Sequence, residues 1–448
     1  MRPVRILPSA VLGCVLLSFF FVETAAAKTL CVNPSGSNGC YSTIQSAVNA
    51  ASKYDVINVW AGTYKEDVTV NKPMSLLGAG AGKSIIDASN MPNGILLDGY
   101  DNPGLDDITV AGFTVKNALY EGVLVLNTAD AVIRDNHIIN NDTVGPVFGS
   151  GPACNGQPAY ETDESGDCGG GLHLLGAVGA VVSGNVLTGN ADGILISDDS
   201  AQSRDNLIFR NIVTDNPLEC GVVLASHPPM GAAPPAFAPH YGVVHNTVSE
   251  NVVARNGVKV GGAGAGLFSD GEGQGRTAGN VIIRNELTGN GIPGVALHTH
   301  VGPNFGLPAD DMSGNQIIGN YIAGNGADTD DTATPGTAGI NINSGGGGSS
   351  VYGMIISQNI IRNEAIAIAF NVPNEIDAHL NDLENGKVGV ENVCAFDNAA
   401  CTGAIDVTEN FWGCAAGANA SGCATTSGTR IRATPSLSMA VTGDGDKD

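Results

Sequence analysis

An asparagine returns along this chain with a fixed companion. Asn136, Asn185, Asn211, Asn251, Asn285, Asn320 and Asn359 form the series, at steps of 49, 26, 40, 34, 35 and 39 residues. Five residues after the first six stand Asn141, Asn190, Asn216, Asn256, Asn290 and Asn325. After Asn359 the step holds Glu364, with Asn363 one short. Self-similarity at a period of a few tens of residues means a stacked architecture, in which each repeat buries its face against the next.

The flanking columns say what each repeat is made of. Three residues before the first asparagine lie Ile133, Val182, Ile208, Val248, Ile282, Ile317 and Ile356. Two after it lie Ile138, Leu187, Val213, Val253, Leu287, Ile322 and Ile361. Both columns are apolar and must face inward. They are five apart, and a straight strand of period two cannot keep an odd offset on one face. A bend therefore sits between them. The asparagine is expected to make it, in the left-handed conformation that residue tolerates. Stacked coil on coil, the side chains can also bond one another as a ladder. The residue directly after the asparagine is mixed (His137, Val186, Ile212, Val252, Glu286, Tyr321, Ile360) and is expected to face out.

A second short strand follows in each repeat, over 122–126, 171–175, 193–197, 221–225, 294–298 and 339–343. Each begins with glycine, and its second and fourth positions are apolar. One bend plus several short strands per repeat is a coil of a parallel β-helix. The 26-residue step is a nearly bare coil, and the longer steps carry loops. A helical solenoid is disfavoured, because no window sustains helical periodicity.

Residues 1–27 read as a secretory signal, with Arg2 and Arg5, an apolar run from Val11 to Val22, and Ala25-x-Ala27 for cleavage. Its apolar run is short for a membrane span, and no later stretch suits one. Removing it leaves 18 basic and 43 acidic side chains, a net charge of −25. That charge argues against nucleic acid and anionic membrane as partners. It also disfavours polyanionic substrates unless a cation or a basic patch intervenes. In an exported chain, Cys31 with Cys40, Cys154 with Cys168, Cys394 with Cys401, and Cys414 with Cys423 are expected as disulfides closing local loops. Cys220 is left over as a buried thiol.

At the N-terminus, Ser42-Thr43-Ile44-Gln45 matches a capping box with Ser42 as N-cap. Ile44, Ala47, Val48 and Ala51 share one helical face. This short helix would plug the open end of the β-helix, whose first coil otherwise exposes strand edges. Then come Asp55 to Tyr64 with its Ala-Gly-Thr-Tyr turn, Glu66 to Val70, and Lys72-Pro-Met-Ser-Leu-Leu-Gly78. Together with the helix and the later Asn-rich coils, this run resembles the pectin-lyase-like right-handed parallel β-helix superfamily over roughly residues 42–412. The resemblance implies an all-β, single-stranded, right-handed parallel β-helix with a short N-terminal capping helix. For activity it implies less, because the superfamily includes lyases, esterases, hydrolases, epimerases and non-catalytic proteins.

The expected organisation is a signal peptide at 1–27, an N-terminal cap at 28–54 and the β-helix at 55–376. Decaying coils and a disulfide-rich cap follow at 377–435, then a disordered tail at 436–448. Insertions at 144–170, 226–242, 300–313 and 326–338 all leave the coil near the second strand. Loops leaving successive coils on one side would wall a groove.

Chemistry is expected on the outward face of that second strand and its following turn. The face offers His173, Ser197, Asp198, Asp199, His227, Ser269, Asp270, Glu272, His298, His300, Asn341 and Asn343. Asp198 and Asp199 are a carboxylate pair of the kind that hydrolyses glycosides, and His298 and His300 are candidate general bases. His227, Asp310 and Asp311 are the candidate metal ligands. Set against them is a plain polar exterior with turn-forming Asp and Asn. Pectin methylesterase motifs are missing. Of the polygalacturonase motifs, Ser197-Asp198-Asp199-Ser200 resembles only Gly-Asp-Asp. The resemblance therefore carries over no catalytic residue. A lyase would draw on calcium and on Arg204 or Arg276.

The expectation is a secreted or periplasmic monomer that recognises or processes an extracellular polysaccharide, as a lyase, epimerase or hydrolase. The alternatives are a non-catalytic binding scaffold, and a metal-handling protein like the periplasmic β-helix proteins of copper-enzyme maturation.

Overall fold

The computed structural model describes residues 27–142, 169–229, 240–269, 274–299, 309–329, 334–344, 349–372, 375–384, 386–393 and 403–441. The chain winds through three long parallel sheets. Counted among these described residues, sheet one has 14 strands, from Thr29–Val32 to Ile431–Arg432. Sheet two has 11, from Gly62–Tyr64 to Asp382–Glu384, and sheet three has 12, from Val68–Val70 to Thr425–Gly428. One coil shows the plan. Val181–Ser183 lies in sheet one, Val186–Thr188 in sheet two and Ile194–Ser197 in sheet three. Leu207–Phe209 then re-enters sheet one directly above Val181–Ser183.

Both apolar columns lie in the core. Ile133, Val182, Ile208, Val248, Ile282, Ile317 and Ile356 are fully buried on sheet one. Ile138, Leu187, Val213, Val253, Leu287, Ile322 and Ile361 are fully buried on sheet two. The bend between them resolves the odd offset. The asparagines do not take the left-handed conformation, however, and that expectation is corrected. It falls one residue earlier, at Asp135, Gly184, Arg210, Glu250, Arg284, Gly319 and Gln358. The asparagine follows the turn, with its side chain directed into the coil.

There the side chains do form ladders. Asn136 Nδ2 donates to Asn185 Oδ1 at 3.1 Å, and the series continues through Asn211, Asn251, Asn285, Asn320, Asn359 and Asn381 to Asn410. Each interior rung is saturated. Asn185 Oδ1 also accepts the backbone N–H of Asn136 at 3.0 Å, and Asn185 Nδ2 also donates to Ile133 O at 2.9 Å. A buried carboxamide that uses both donors and both lone pairs carries no desolvation penalty for an unmade bond. The second ladder runs Asn141, Asn190, Asn216, Asn256, Asn290 and Asn325. A third, of Asn206, Asn246, Asn280 and Asn315, lines the return to sheet one.

The capping helix spans Ile44–Ala50, with Ile44, Ala47 and Val48 buried. Its N-cap is Thr43, whose hydroxyl accepts from Ser46 N–H, which corrects Ser42. Glu66 takes up the N–H groups of Ile44 and Gln45 at 2.8 and 3.0 Å. Gln45 is thereby released to bond both polar backbone groups of Thr69, on the first strand of sheet three. Its side chain occupies the open edge that the helix was expected to cover. Lys72 closes the other end of the helix on the carbonyls of Val48, Asn49 and Ala51.

Cys31–Cys40 and Cys414–Cys423 are disulfides. Cys154, Cys168, Cys394 and Cys401 lie outside the described residues, as does the signal segment apart from Ala27. Cys220 is buried, and its sulfur accepts from Ala263 N–H at 3.1 Å. The sequence repeat fades from 377, but parallel pairing continues to Ile431–Arg432. Asn410 ends the first ladder and Trp412 is fully buried. The tail expected to be free from 436 is held as far as Leu437, which pairs with Phe411. Residues 442–448 lie outside the described set.

Candidate active site on sheet three

Sheet three carries the second strand of each repeat, and its alternate residues point away from the core as expected. These outward side chains are nevertheless buried, so the face is not the polar exterior the sequence allows. His173, Ser197, His298, Asn341 and Asn343 are all at most 2% exposed, and Ser269, one position past outward Phe268, is fully buried. A separate apolar cluster of Leu195, Val223, Ala225, Phe268, Ile292 and Ala296, with Cys220 and Ala263, lies on the same side.

The strands end in a polar row. The strand Ile194–Ser197 runs out into Asp198 and Asp199, and the next strand up, Val222–Ser226, into His227. Asp198 holds both ends of the insertion that follows His227. Its Oδ1 accepts His227 N–H at 2.7 Å, and its Oδ2 accepts Gly242 N–H and the Ser226 hydroxyl, the latter at 3.2 Å. Gly242 has φ +102°, a conformation open to glycine and strained for other residues. Asp198 is fully buried. Burial, with the charge of Asp199 beside it, pushes its carboxyl up to about 7 against the pull of these hydrogen bonds.

Asp199 is turned the other way. Its carboxylate accepts from Ser197 Oγ and faces His227 Nδ1 at 3.3 Å. Ser197 Oγ is also 2.8 Å from His173 Nε2, and His173 Nδ1 is 3.4 Å from Glu121. Above Asp198, Ser226 Oγ is 2.8 Å from His240 Nδ1 and accepts Arg276 N–H at 3.0 Å. Burial, reinforced by nearby His227, lowers His240 to about 4. It is therefore neutral near pH 7.

The structure thus gathers Asp198, Asp199 and His227 and adds Ser226, His240, Ser197, His173 and Glu121. His298 stands apart. It lies three strands beyond Ser197 in the Ser197–Ala225–Phe268–His298 row, roughly 14 Å at the usual strand spacing. It stacks on Phe268 with ring centroids 4.4 Å apart. His300, Asp270 and Glu272 lie outside the described residues. The metal candidates each face a different partner. His227 faces Asp199, Asp310 accepts Gly275 N–H at 2.7 Å, and Asp311 pairs with Arg276 at 3.5 Å. A Cβ at Gly275 would sit 1.8 Å from Ser269 Oγ, so a larger residue there would have to displace that hydroxyl. Among the described residues, the group whose ligand atoms converge is Asp377, His379 and Asp406, far along sheet one, where Arg432 already pairs with Asp406. Arg204 pairs with Asp205.

Of the added residues, Ser226 carried a readable signal. It falls in the same register as Asp198, one position past the last outward residue of its strand. His240 carried none, because the insertion separates it from Ser226 in sequence and the fold returns it.

The coil, its ladders and this row of side chains define a right-handed parallel β-helix protein. The family described as right handed beta helix region matches residues 83–232, a third of the chain. No curated protein sequence is significantly similar to it. Among solved structures, it is similar to the catalytic unit of a thermostable GH87 alpha-1,3-glucanase from Streptomyces thermodiastaticus, at 15% identity and a TM-score of 0.43. That match covers 89% of this chain and 66% of the other. It is also similar to the A-module of a mannuronan C-5 epimerase from Azotobacter vinelandii, at 13% identity and a TM-score of 0.42, covering 88% and 94%. An alginate lyase from Paenibacillus matches at 11% identity and a TM-score of 0.35, covering 91% and 99%. The chain spans just under two thirds of the glucanase unit's length.

Proposed function

We propose that the protein acts outside the cytoplasm, as a monomer, and hydrolyses an extracellular polysaccharide at the Asp198–Asp199 site. One observation carries the reading. Two carboxyl groups adjacent in sequence are held in opposed environments at one site. Asp198, lifted to about 7, keeps a proton near neutral pH and is the general acid. Asp199, between Ser197 Oγ and His227, is the carboxylate partner. The superfamily resemblance of residues 42–412 supplies the substrate class, and two disulfides support an oxidising compartment.

Hydrolysis is favoured over elimination or epimerisation by charge. Those reactions abstract a proton beside a uronate carboxylate, which a cation must neutralise. The arginines available for it are each paired with an aspartate, Arg204 with Asp205 and Arg276 with Asp311, on a chain of net charge −24. Both site carboxylates are enclosed, so reaction requires a movement that admits the glycosidic oxygen. The test is a panel of neutral and acidic polysaccharides, with and without calcium. New reducing ends without absorbance of unsaturated uronate support the reading. Unsaturated products would replace it with a lyase.

A second reading has its own observation. Asp198 is bonded to both ends of the 228–241 insertion, as a clasp in a non-catalytic scaffold would be. If the wild-type protein releases no reducing ends from any polysaccharide, the scaffold stands and the hydrolase falls.

A further inference from the structure

Ser226 has a proton-counting constraint. Its hydroxyl owns one hydrogen and two lone pairs. Arg276 N–H occupies one lone pair, at 3.0 Å. Two neighbours remain, Asp198 Oδ2 at 3.2 Å and His240 Nδ1 at 2.8 Å. One must receive the serine proton and the other must donate to the serine oxygen.

We infer that Ser226 and His240 form a proton relay that recharges Asp198. The relay rests on the acid role given to Asp198 above. When Asp198 is protonated, it donates from Oδ2 to Ser226 Oγ, and Ser226 donates to His240 Nδ1, so His240 carries its proton on Nε2. When Asp198 is ionised, Ser226 donates to Asp198 and His240 must donate from Nδ1. Recharging moves one proton from His240 Nδ1 to Ser226 Oγ and one from Ser226 Oγ to Asp198. His240 regains its hydrogen at Nε2 from water, so the imidazole begins and ends neutral. Of the three groups His240 alone is only partly buried, which places the solvent end of the path there.

Among the described residues, the neighbouring charged groups are directed to other partners. Asp199 and His227, the charged groups closest to Asp198, are turned to each other. Arg276 offers its backbone to Ser226, and its guanidinium pairs with Asp311. Asp310 is turned to Gly275 N–H, and Arg204 to Asp205. His173 and Glu121 lie on the far side of Ser197. Ser226 and His240 act through Asp198 and are positioning residues.

The test is the ¹⁵N spectrum of the full protein with labelled histidine, with His240 assigned by its loss in His240→Gln. Between about pH 5 and about pH 9, His240 should pass from the Nε2–H to the Nδ1–H tautomer as Asp198 ionises. Ser226→Ala should abolish the passage, and Ser226→Thr, which keeps the hydroxyl, should retain it. A wild-type His240 with one tautomer throughout overturns the relay, as does an unchanged passage in Ser226→Ala. The titration uses no substrate. Failure of the relay therefore leaves hydrolysis standing, whereas absence of hydrolysis with the passage intact overturns the hydrolase and the recharging role together and leaves only the proton coupling of the three side chains.

Discussion

Asn325 Nδ2 donates to Glu364 Oε1 at 3.1 Å, and Asn325 N–H donates to the same oxygen at 2.8 Å. A carboxyl group thus occupies the rung where the rest of the second ladder has a carboxamide. Burial pushes Glu364 up to about 7, against the pull of the Asn325 bonds. Its unfolded value is the ordinary 4.5. Between these values the folded state holds a proton that the unfolded state has lost. Stability linked to Glu364 is therefore complete below about pH 4.5 and declines as pH rises towards about 7. Glu364→Gln keeps the acceptor and removes the titration. The variant should match wild type near pH 5 and exceed it by about 1–2 kcal/mol near pH 8. Denaturant midpoints at the two pH values check it.

Mid-ladder asparagines should be costlier to remove than terminal ones. Asn251→Ala deletes two donors and two acceptors and strands the backbone N–H of Asn211, with one of its Nδ2 hydrogens, in the core. A buried group left unbonded costs about 1–3 kcal/mol, so the loss should reach about 3 kcal/mol or more. Asn136→Ala, at the start of its ladder, removes one bond fewer and should cost less. Melting temperatures of the two variants, with hydrogen exchange across 208–285, measure the difference.

The site makes a pH statement. Polysaccharide hydrolysis should fall as pH rises through about 7, because Asp198 then loses the proton it donates. Asp198→Asn, which removes the transferable proton, should lower kcat by about 10²-fold or more with a smaller change in KM. Asp199→Asn should be similarly inactive while leaving the Asp198 bonds to His227 and Gly242 in place. A rate unchanged in both variants would remove the pair from the chemistry.

The Cys31–Cys40 link closes a loop of 9 residues in front of the first coil. Replacing both cysteines with serine should cost about 2–3 kcal/mol. The loss should fall on the N-terminal coils, where the Gln45 bonds to Thr69 also hold the sheet edge. Limited proteolysis with and without reductant, read as early cleavage between 28 and 60, reports it.

Much of this fold was legible because apolar columns and asparagines repeat in register. The ladders followed from stacking like on like. The left-handed turn residue was not legible, since Asp135, Arg210, Glu250 and Gln358 share no side-chain chemistry, and only the backbone selects the position. The third ladder left a readable trace, for Asn206, Asn246, Asn280 and Asn315 stand five residues before Asn211, Asn251, Asn285 and Asn320. At the site, Asp198 and Asp199 follow directly from their place after a strand. His240 reaches Ser226 only through the fold, and the burial of the outward face has no signature in a coil's own pattern.

The ladders run one way. Each rung offers its side-chain oxygen to the coil before it, and its backbone N–H and one side-chain hydrogen to the coil after it. A coil duplicated or excised between Asn185 and Asn320 would therefore leave a joint chemically identical to the one it replaced. Length in this molecule is an adjustable quantity, counted in whole turns. Glu364, which has no amide to pass on, is the stop codon of that count along one corner.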